Sequence, residues 1–149
     1  MATFRFTKAI LEGSPIDVYN HGNHKRDFTY VDDIVEGIVR LIDRRPAPNE
    51  AWSGDHPDPG TSRAPYRIYN IGNHSPVELR YLIELLEGAL GRRARKNYLP
   101  LQPGDVPETF ADITRAQERL GFQPVTPIDE GIPRFVKWYL TYHGLAKKV

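Results

Sequence analysis

Extended runs in this chain are few and far apart, and that scarcity limits its fold more than any other feature. Residues 15–20, 26–31, 66–71 and 96–101 have the composition and alternation of strands, scattered through 149 residues. A strand needs hydrogen-bonded neighbours, because an unpaired backbone amide or carbonyl away from water costs free energy. The run 66–71, closed by Gly72, has no obvious neighbour within the chain. The expected class is mixed α/β, with strands too few and too scattered to make a sheet alone.

Helices fill much of the remainder. Phe4, Phe6, Lys8, Ile10 and Leu11 have helical spacing, and Gly13 supplies a stop. This helix starts almost at the first methionine, so it reads as cut from something longer. Asp32 and Asp33 suit the cap of a second helix, in which Ile34, Val35, Ile38, Val39 and Ile42 form one apolar stripe. A capping box at Ser75, Pro76 and Glu78 predicts a third, with Leu79, Leu82, Ile83, Leu86, Ala89 and Leu90 as its buried side and Gly91 as its end. Thr114 to Gln117 predicts a short helix that stops at Gly121. Thr126 and Pro127 open the last one, which Pro133 should kink by removing a ladder donor. Between Arg45 and Pro65 lies a connector of 21 residues with five prolines, a length that is usually functional or disordered.

Charge and composition remove several classes of function. Twenty Lys and Arg against 19 Asp and Glu leave a formal charge of +1, which gives no reason to expect nucleic acid or an anionic membrane as partner. The basic run at Arg92, Arg93, Arg95 and Lys96 reads as a solvated helix end. With no cysteine there is neither a disulfide frame nor a thiolate metal site. His21 and His24 stand three apart in a loop, but no Cys and no His-Glu-x-x-His accompanies them, so no metal is expected. No apolar run has the length of a membrane span and no signal-peptide core is present, so the expected location is the cytoplasm.

Catalytic signatures are also missing. A dinucleotide site needs a glycine-rich turn that lets backbone approach the pyrophosphate, and no Gly-x-Gly-x-x-Gly occurs. A Tyr-x-x-x-Lys pair would let an ammonium lower a phenol pKa for proton transfer. None of the eight tyrosines has a lysine four residues on.

Two stretches could hold an anion. Arg26 offers a planar fork suited to phosphate, with Asp27 beside it to neutralise and orient it. A salt-bridged strand end is the plainer reading of the same residues. Pro103 and Gly104 make a tight turn that would project Gln102 and Asp105 to one side, where a carboxylate could accept two ribose hydroxyls; an ordinary surface turn has the same spacing. Tyr19, ending a strand beside a polar loop, could stack on a base or simply pack at the rim.

Taken in order, the stretches 26–33, 69–73 and 102–107, followed by Ala111 and Asp112, resemble the extended short-chain dehydrogenase/reductases. Among these the chain is similar to UDP-glucuronate 4-epimerases and capsular nucleotide-sugar epimerases. The connector has that subfamily's look at Trp52 to Gly54, Pro57 to Ser62 and Ala64 to Tyr66. The resemblance runs from about Phe4 to Tyr142 and implies the C-terminal, sugar-nucleotide-binding part of a Rossmann-type enzyme.

By that resemblance Arg26 grips the UDP diphosphate, Asp105 holds the uridine ribose, and Tyr19 lies against the uracil. Gln102 stands where galactose-type epimerases carry a second phosphate-binding arginine, which leaves that contact unassigned. The family oxidises sugar C4 reversibly with NAD and a tyrosine base. The resemblance implies that both belong to a missing half, so this chain alone should bind UDP-sugar weakly, hold no NAD and epimerise nothing. The helix near residues 33–42 and the strand 66–71 would pack on the missing sheet, and their exposure would favour self-association. Two other readings stay open: a non-catalytic UDP-sugar-binding or interaction module, and part of a UDP-sugar decarboxylase or dehydratase.

Overall fold

The computed structural model describes residues 2–145, a mixed α/β chain in two compact units. Of the described residues, the first unit comprises 2–28, 75–109 and 126–145, and the second 29–74 and 110–125.

In the first unit, helix α1 (Ala2–Glu12) ends at Gly13, whose φ of +71° lies in the left-handed region that glycine enters without strain. The chain then turns into β1 (Pro15–Val18), which pairs in parallel with β4 (Arg95–Tyr98), Pro15 opposite Arg95 and Val18 opposite Tyr98. Alternation sends Ile16 and Val18 inward, where they meet Ile83 of α3 (Leu79–Leu90). On its other side α3 packs Leu82 and Leu86 against Ile10 of α1 and against Ile128, Ile132 and Val136 of α5 (Ile128–Tyr142). Each large apolar side chain so buried contributes about 1.5–3 kcal/mol. Pro133 lies inside α5, which spans Ile128–Tyr142.

The start of α3 differs from the sequence expectation. Residues 76–78 are not its first turn but a strand, β3 (Pro76–Glu78), antiparallel to β2 (Lys25–Asp27) with Arg26 opposite Val77. The amide of Leu79 then donates to the His24 carbonyl at 2.8 Å, so pairing to a neighbouring strand displaces the capping box. The strand expected over 15–20 is likewise shorter. After Val18 the chain enters a 3₁₀ turn (Tyr19–Gly22), with Asn20 and His21 both at φ 50°. Arg80 holds this turn through Nη2, which donates to the His21 carbonyl at 2.8 Å.

Glu87 is the polar anchor of the first unit. Its side chain is 3% exposed, and its carboxylate accepts from Lys96 Nζ at 2.6 Å, the Ala94 amide at 2.9 Å and Arg93 Nη1 at 2.9 Å. These bonds tie the end of α3 to β4.

The second unit is built on α2 (Val31–Ile42) and α4 (Thr114–Leu120). Its core is Ile113, Ala116, Leu120 and Phe122, packed with Leu41, Tyr69, Ile71 and Ala111. Tyr30 is the cap of α2, and Asp32 and Asp33 lie within its first turn, where Asp33 Oδ1 accepts from the Val125 amide at 3.3 Å. The expected apolar stripe is not buried in this chain: Val35 is 51% exposed, Ile38 52%, Val39 57% and Ile42 70%. Asp33 and Gly37 are the buried residues of α2 instead. A methyl group on Gly37 would meet the Phe122 ring at 3.1 Å, so helix and ring approach as closely as a hydrogen at that position allows.

Residues 66–71 form no strand; one antiparallel bridge joins Thr61 and Arg67. Without hydrogen-bonding neighbours the extended run stays unladdered. The expected box at Thr114 is also replaced. Asp112 Oδ1 accepts from the Thr114 amide at 3.0 Å and its hydroxyl at 2.6 Å, capping from two residues upstream. The long connector is ordered through side chains: Trp52 Nε1 donates to the Asp58 carbonyl, Asn49 Nδ2 to Thr61 Oγ1, and the Gly60 amide to Asp58 Oδ1. No helix among the described residues is long and apolar enough to cross a membrane.

Burial pushes the Glu87 carboxyl up, but the bonds from Lys96, the Ala94 amide and Arg93 outweigh it and hold the group below its ordinary value. A lowered folded value contributes stability that is fully present above the unfolded glutamate range, about 4.3, and is lost as pH falls through the folded value. Urea unfolding should therefore show Glu87→Gln less stable than the wild type by about 1–3 kcal/mol at pH 7. The gap should narrow as the pH is lowered below that range; a gap constant down to acid pH would contradict the assignment.

Candidate functional site

The cluster with most chemical potential lies in the first unit and is assembled by backbone pairing. The Lys25 amide donates to the Pro107 carbonyl at 2.8 Å, and the Thr109 amide donates to the Lys25 carbonyl at 3.2 Å. A parallel bridge between Lys25 and Glu108 runs alongside. Residues 107–109 thus extend the ribbon of β2 and β3, which brings the turn at 102–105 to Arg26.

That turn closes with the Asp105 amide donating to the Gln102 carbonyl at 3.1 Å, with Gly104 at φ +81°. A positive φ at the third position of the turn, directly after Pro103, is the type II geometry that glycine permits. Asp105 Oδ1 accepts from Arg26 Nη2 at 2.9 Å, across 79 residues of sequence. Arg26 Nη1 donates to the Pro107 carbonyl at 3.2 Å and the Lys25 carbonyl at 2.9 Å. The other carboxylate oxygen, Asp105 Oδ2, lies 3.3 Å from His24 Nε2. The Arg26 and Asp105 side chains keep 29% and 33% of their surface open to solvent, while that of His24 keeps 5%.

Arg26 and Asp105, chosen separately from the sequence, are therefore direct partners. Asp105 is the carboxylate on the guanidinium, and the neighbouring Asp27 Oδ1 accepts from the Ser75 amide at 3.4 Å. Gln102 is exposed and Tyr19 half-buried. The two segments are linked by backbone: the His21 amide donates to the Leu99 carbonyl at 3.0 Å, and the Leu99 amide to the Val18 carbonyl at 3.0 Å. A cavity of about 280 Å³ adjoins the cluster, lined by Gly22, His24, Glu78, Arg80 and Pro107 among others.

Sequence reasoning passed over His24 as a site residue, though a signal was there. It stands two residues before Arg26 in an extended run, and such residues share a face. Arg80 was not singled out either, and nothing in a helix pattern marks it as the clamp of a turn some 60 residues earlier.

The second unit holds a separate cavity of about 430 Å³, bordered by Asp58, Ile68, Asn70, Asp112 and Arg115. Its charges are already matched. Asp58 Oδ2 pairs with Arg115 Nη2 at 3.2 Å, and the Gly60 amide and Arg115 hold the Asp58 carboxyl below its ordinary range. Asp112 is likewise lowered by the Thr114 hydroxyl and amide. These groups serve the loop and the cap of α4.

Residues 1–72 match the family model described as NAD dependent epimerase/dehydratase family. Over 143 residues the chain is 57% identical to Protein CapI of Staphylococcus aureus, covering 96% of this chain and 43% of that protein. It is 46% identical over 140 residues to a probable UDP-glucuronate 4-epimerase of Rhizobium meliloti, covering 93% of this chain and 41% of that one. Among solved structures, it is similar to the UDP-glucuronic acid 4-epimerase from Bacillus cereus in complex with UDP-glucuronic acid and NAD. That match has a TM-score of 0.71 at 27% identity, covering 93% of this chain and 40% of the other. The chain spans about two fifths of the length of these relatives. With its mixed α/β fold, the chain is similar along nearly its whole length to these proteins, and its first 72 residues match the NAD dependent epimerase/dehydratase family model.

Proposed function

We propose that this chain is the nucleotide-sugar-binding portion of an NAD-dependent UDP-sugar 4-epimerase of the UDP-glucuronate type. The contact between Arg26 and Asp105 at 2.9 Å carries this reading. A guanidinium fork matches phosphate as well as carboxylate, so a diphosphate can take over the donors that Asp105 now occupies. The freed carboxylate has lone pairs for two ribose hydroxyls. Tyr19 is the aromatic group offered to the base, and Gln102 the polar group beside the second phosphate. The anchoring energy is remote from the reacting sugar carbon, as suits an enzyme that must let the hexose turn over.

The cofactor belongs elsewhere in this reading. The 149 residues contain no Gly-x-Gly-x-x-Gly and no Tyr-x-x-x-Lys, so they do not fit the nicotinamide dinucleotide or the proton transfer that accompanies it. The exposed face of α2 supports the same division. Val31, Val35, Ile38, Val39 and Ile42 are each at least half exposed on one helix, a face suited to packing on a sheet that this chain lacks. The same face favours a second reading, in which the chain is a non-catalytic module that associates with another polypeptide.

Calorimetry on the chain should show weak, saturable UDP binding and no stoichiometric NAD site. Arg26→Ala should weaken UDP binding by tenfold or more, since a hydrogen bond to a charged group contributes about 1.5–3 kcal/mol. Unchanged affinity would remove Arg26 from the site.

Light scattering should detect concentration-dependent self-association of the chain. Ile38→Lys, which places a charge in the middle of the exposed stripe, should shift the population towards monomer. A monomeric wild type at high concentration would mean that this face does not drive association.

A further inference from the structure

His24 raises a question that the proposed site does not answer. The residue is 4% exposed, and its Nε2 has no hydrogen-bond partner among the described residues. A buried polar nitrogen left unsatisfied costs about 1–3 kcal/mol, so its presence calls for a cause. Nε2 lies 3.3 Å from Asp105 Oδ2, close enough for attraction but not aligned as a hydrogen bond. The two oxygens of Asp105 are thus divided: Oδ1 bonds to Arg26, and Oδ2 faces an imidazole that has not engaged it.

The consequence appears when Arg26 changes partner. If a diphosphate draws the guanidinium away, Asp105 is left as a two-thirds-buried carboxylate with its principal donor gone. An uncompensated charge in such a place is costly. The other charged groups nearby are Lys25, Glu78, Glu108 and Arg80. Lys25 pairs through its backbone with Glu78 and with Glu108, while Arg80 donates to the His21 carbonyl and the Asn23 side chain. His24 Nε2 is the group already within reach of Oδ2.

We infer that His24 is a positioning residue for Asp105: its Nε2–H takes hold of Oδ2 and keeps the carboxylate in place for the ribose while Arg26 serves the phosphates. This rests on the UDP-binding reading for its purpose but not for its geometry. A slight turn of either side chain closes the 3.3 Å contact into a hydrogen bond. The tautomer is the decisive point, because a bare Nε2 facing a carboxylate would repel it.

Two measurements on the full chain test this. With ¹⁵N-labelled histidine, Nε2 of His24 should carry a proton with and without UDP, and its resonance should move on Asp105→Asn. A bare Nε2, or a resonance indifferent to Asp105→Asn, overturns the inference whether or not UDP binds. In the second, UDP dissociation constants are compared for wild type, His24→Leu and His24→Gln, with thermal melts to confirm folding. Leucine keeps apolar bulk but no donor, and should weaken binding about tenfold, the loss of one charge-assisted hydrogen bond. Glutamine restores a donor and should recover most of the affinity. His24→Leu binding as tightly as the wild type, where Arg26→Ala does not, would sink the role of His24 and leave the UDP reading standing. Equal affinity in wild type and Arg26→Ala would sink the UDP reading, and with it the purpose assigned to His24; the imidazole resonance would then decide only whether the pairing exists.

Discussion

A pair of backbone hydrogen bonds from one residue organises the candidate site. Lys25 donates to Pro107 and accepts from Thr109, and so fastens a segment some eighty residues later in the chain to the ribbon of β2 and β3. With that segment in place, Arg26 meets both the Pro107 carbonyl and the Asp105 carboxylate, and His24 comes to face the same carboxylate from a buried position. The side chains are then close because the backbone has no other option. Their charge attraction finishes an approach that peptide groups begin, which is the economical order, since partly exposed ion pairs alone contribute little.

Legibility in the sequence followed the range of the interaction involved. Helices α1 and α3 and their glycine stops could be read because spacing and termination are local, and Leu82, Ile83 and Leu86 are buried as their periodicity implies. The start of α3 was misread because Ser75, Pro76 and Glu78 satisfy a local rule that a neighbouring strand overrides. The stripe on α2 is periodic and, as expected for a face that would pack on a missing sheet, exposed; periodicity reports which residues share a face and not what covers it. The stretch 66–71 has strand composition but makes only a single bridge. Arg26 and Asp105 were each noticed for their chemistry; that they touch depends on the pairing at Lys25, which carries no sequence signature. His24 was weighed only as a metal ligand.

The division of labour within the chain is consistent with this. The first unit spends its buried polar groups on fastening: Glu87 joins α3 to β4, and Arg80 holds the turn after β1. The second unit uses one of its ion pairs, Asp58 with Arg115, to hold a proline-rich loop that has no ladder of its own. Side-chain to backbone bonds from Trp52 and Asp58 do for that loop what strand pairing does elsewhere. A long connector can therefore be ordered without becoming an element of secondary structure.

The orientation of α2 shows how little grease is needed to seat a helix. Its inward side is settled at Gly37, where the ring of Phe122 fits against bare backbone. Leu41 packs against the same core, so a close fit of ring to backbone and a little aliphatic cover together set which way the helix turns. Its branched aliphatic residues are thereby directed away from the unit that holds it, like the teeth of a key whose bow is already gripped.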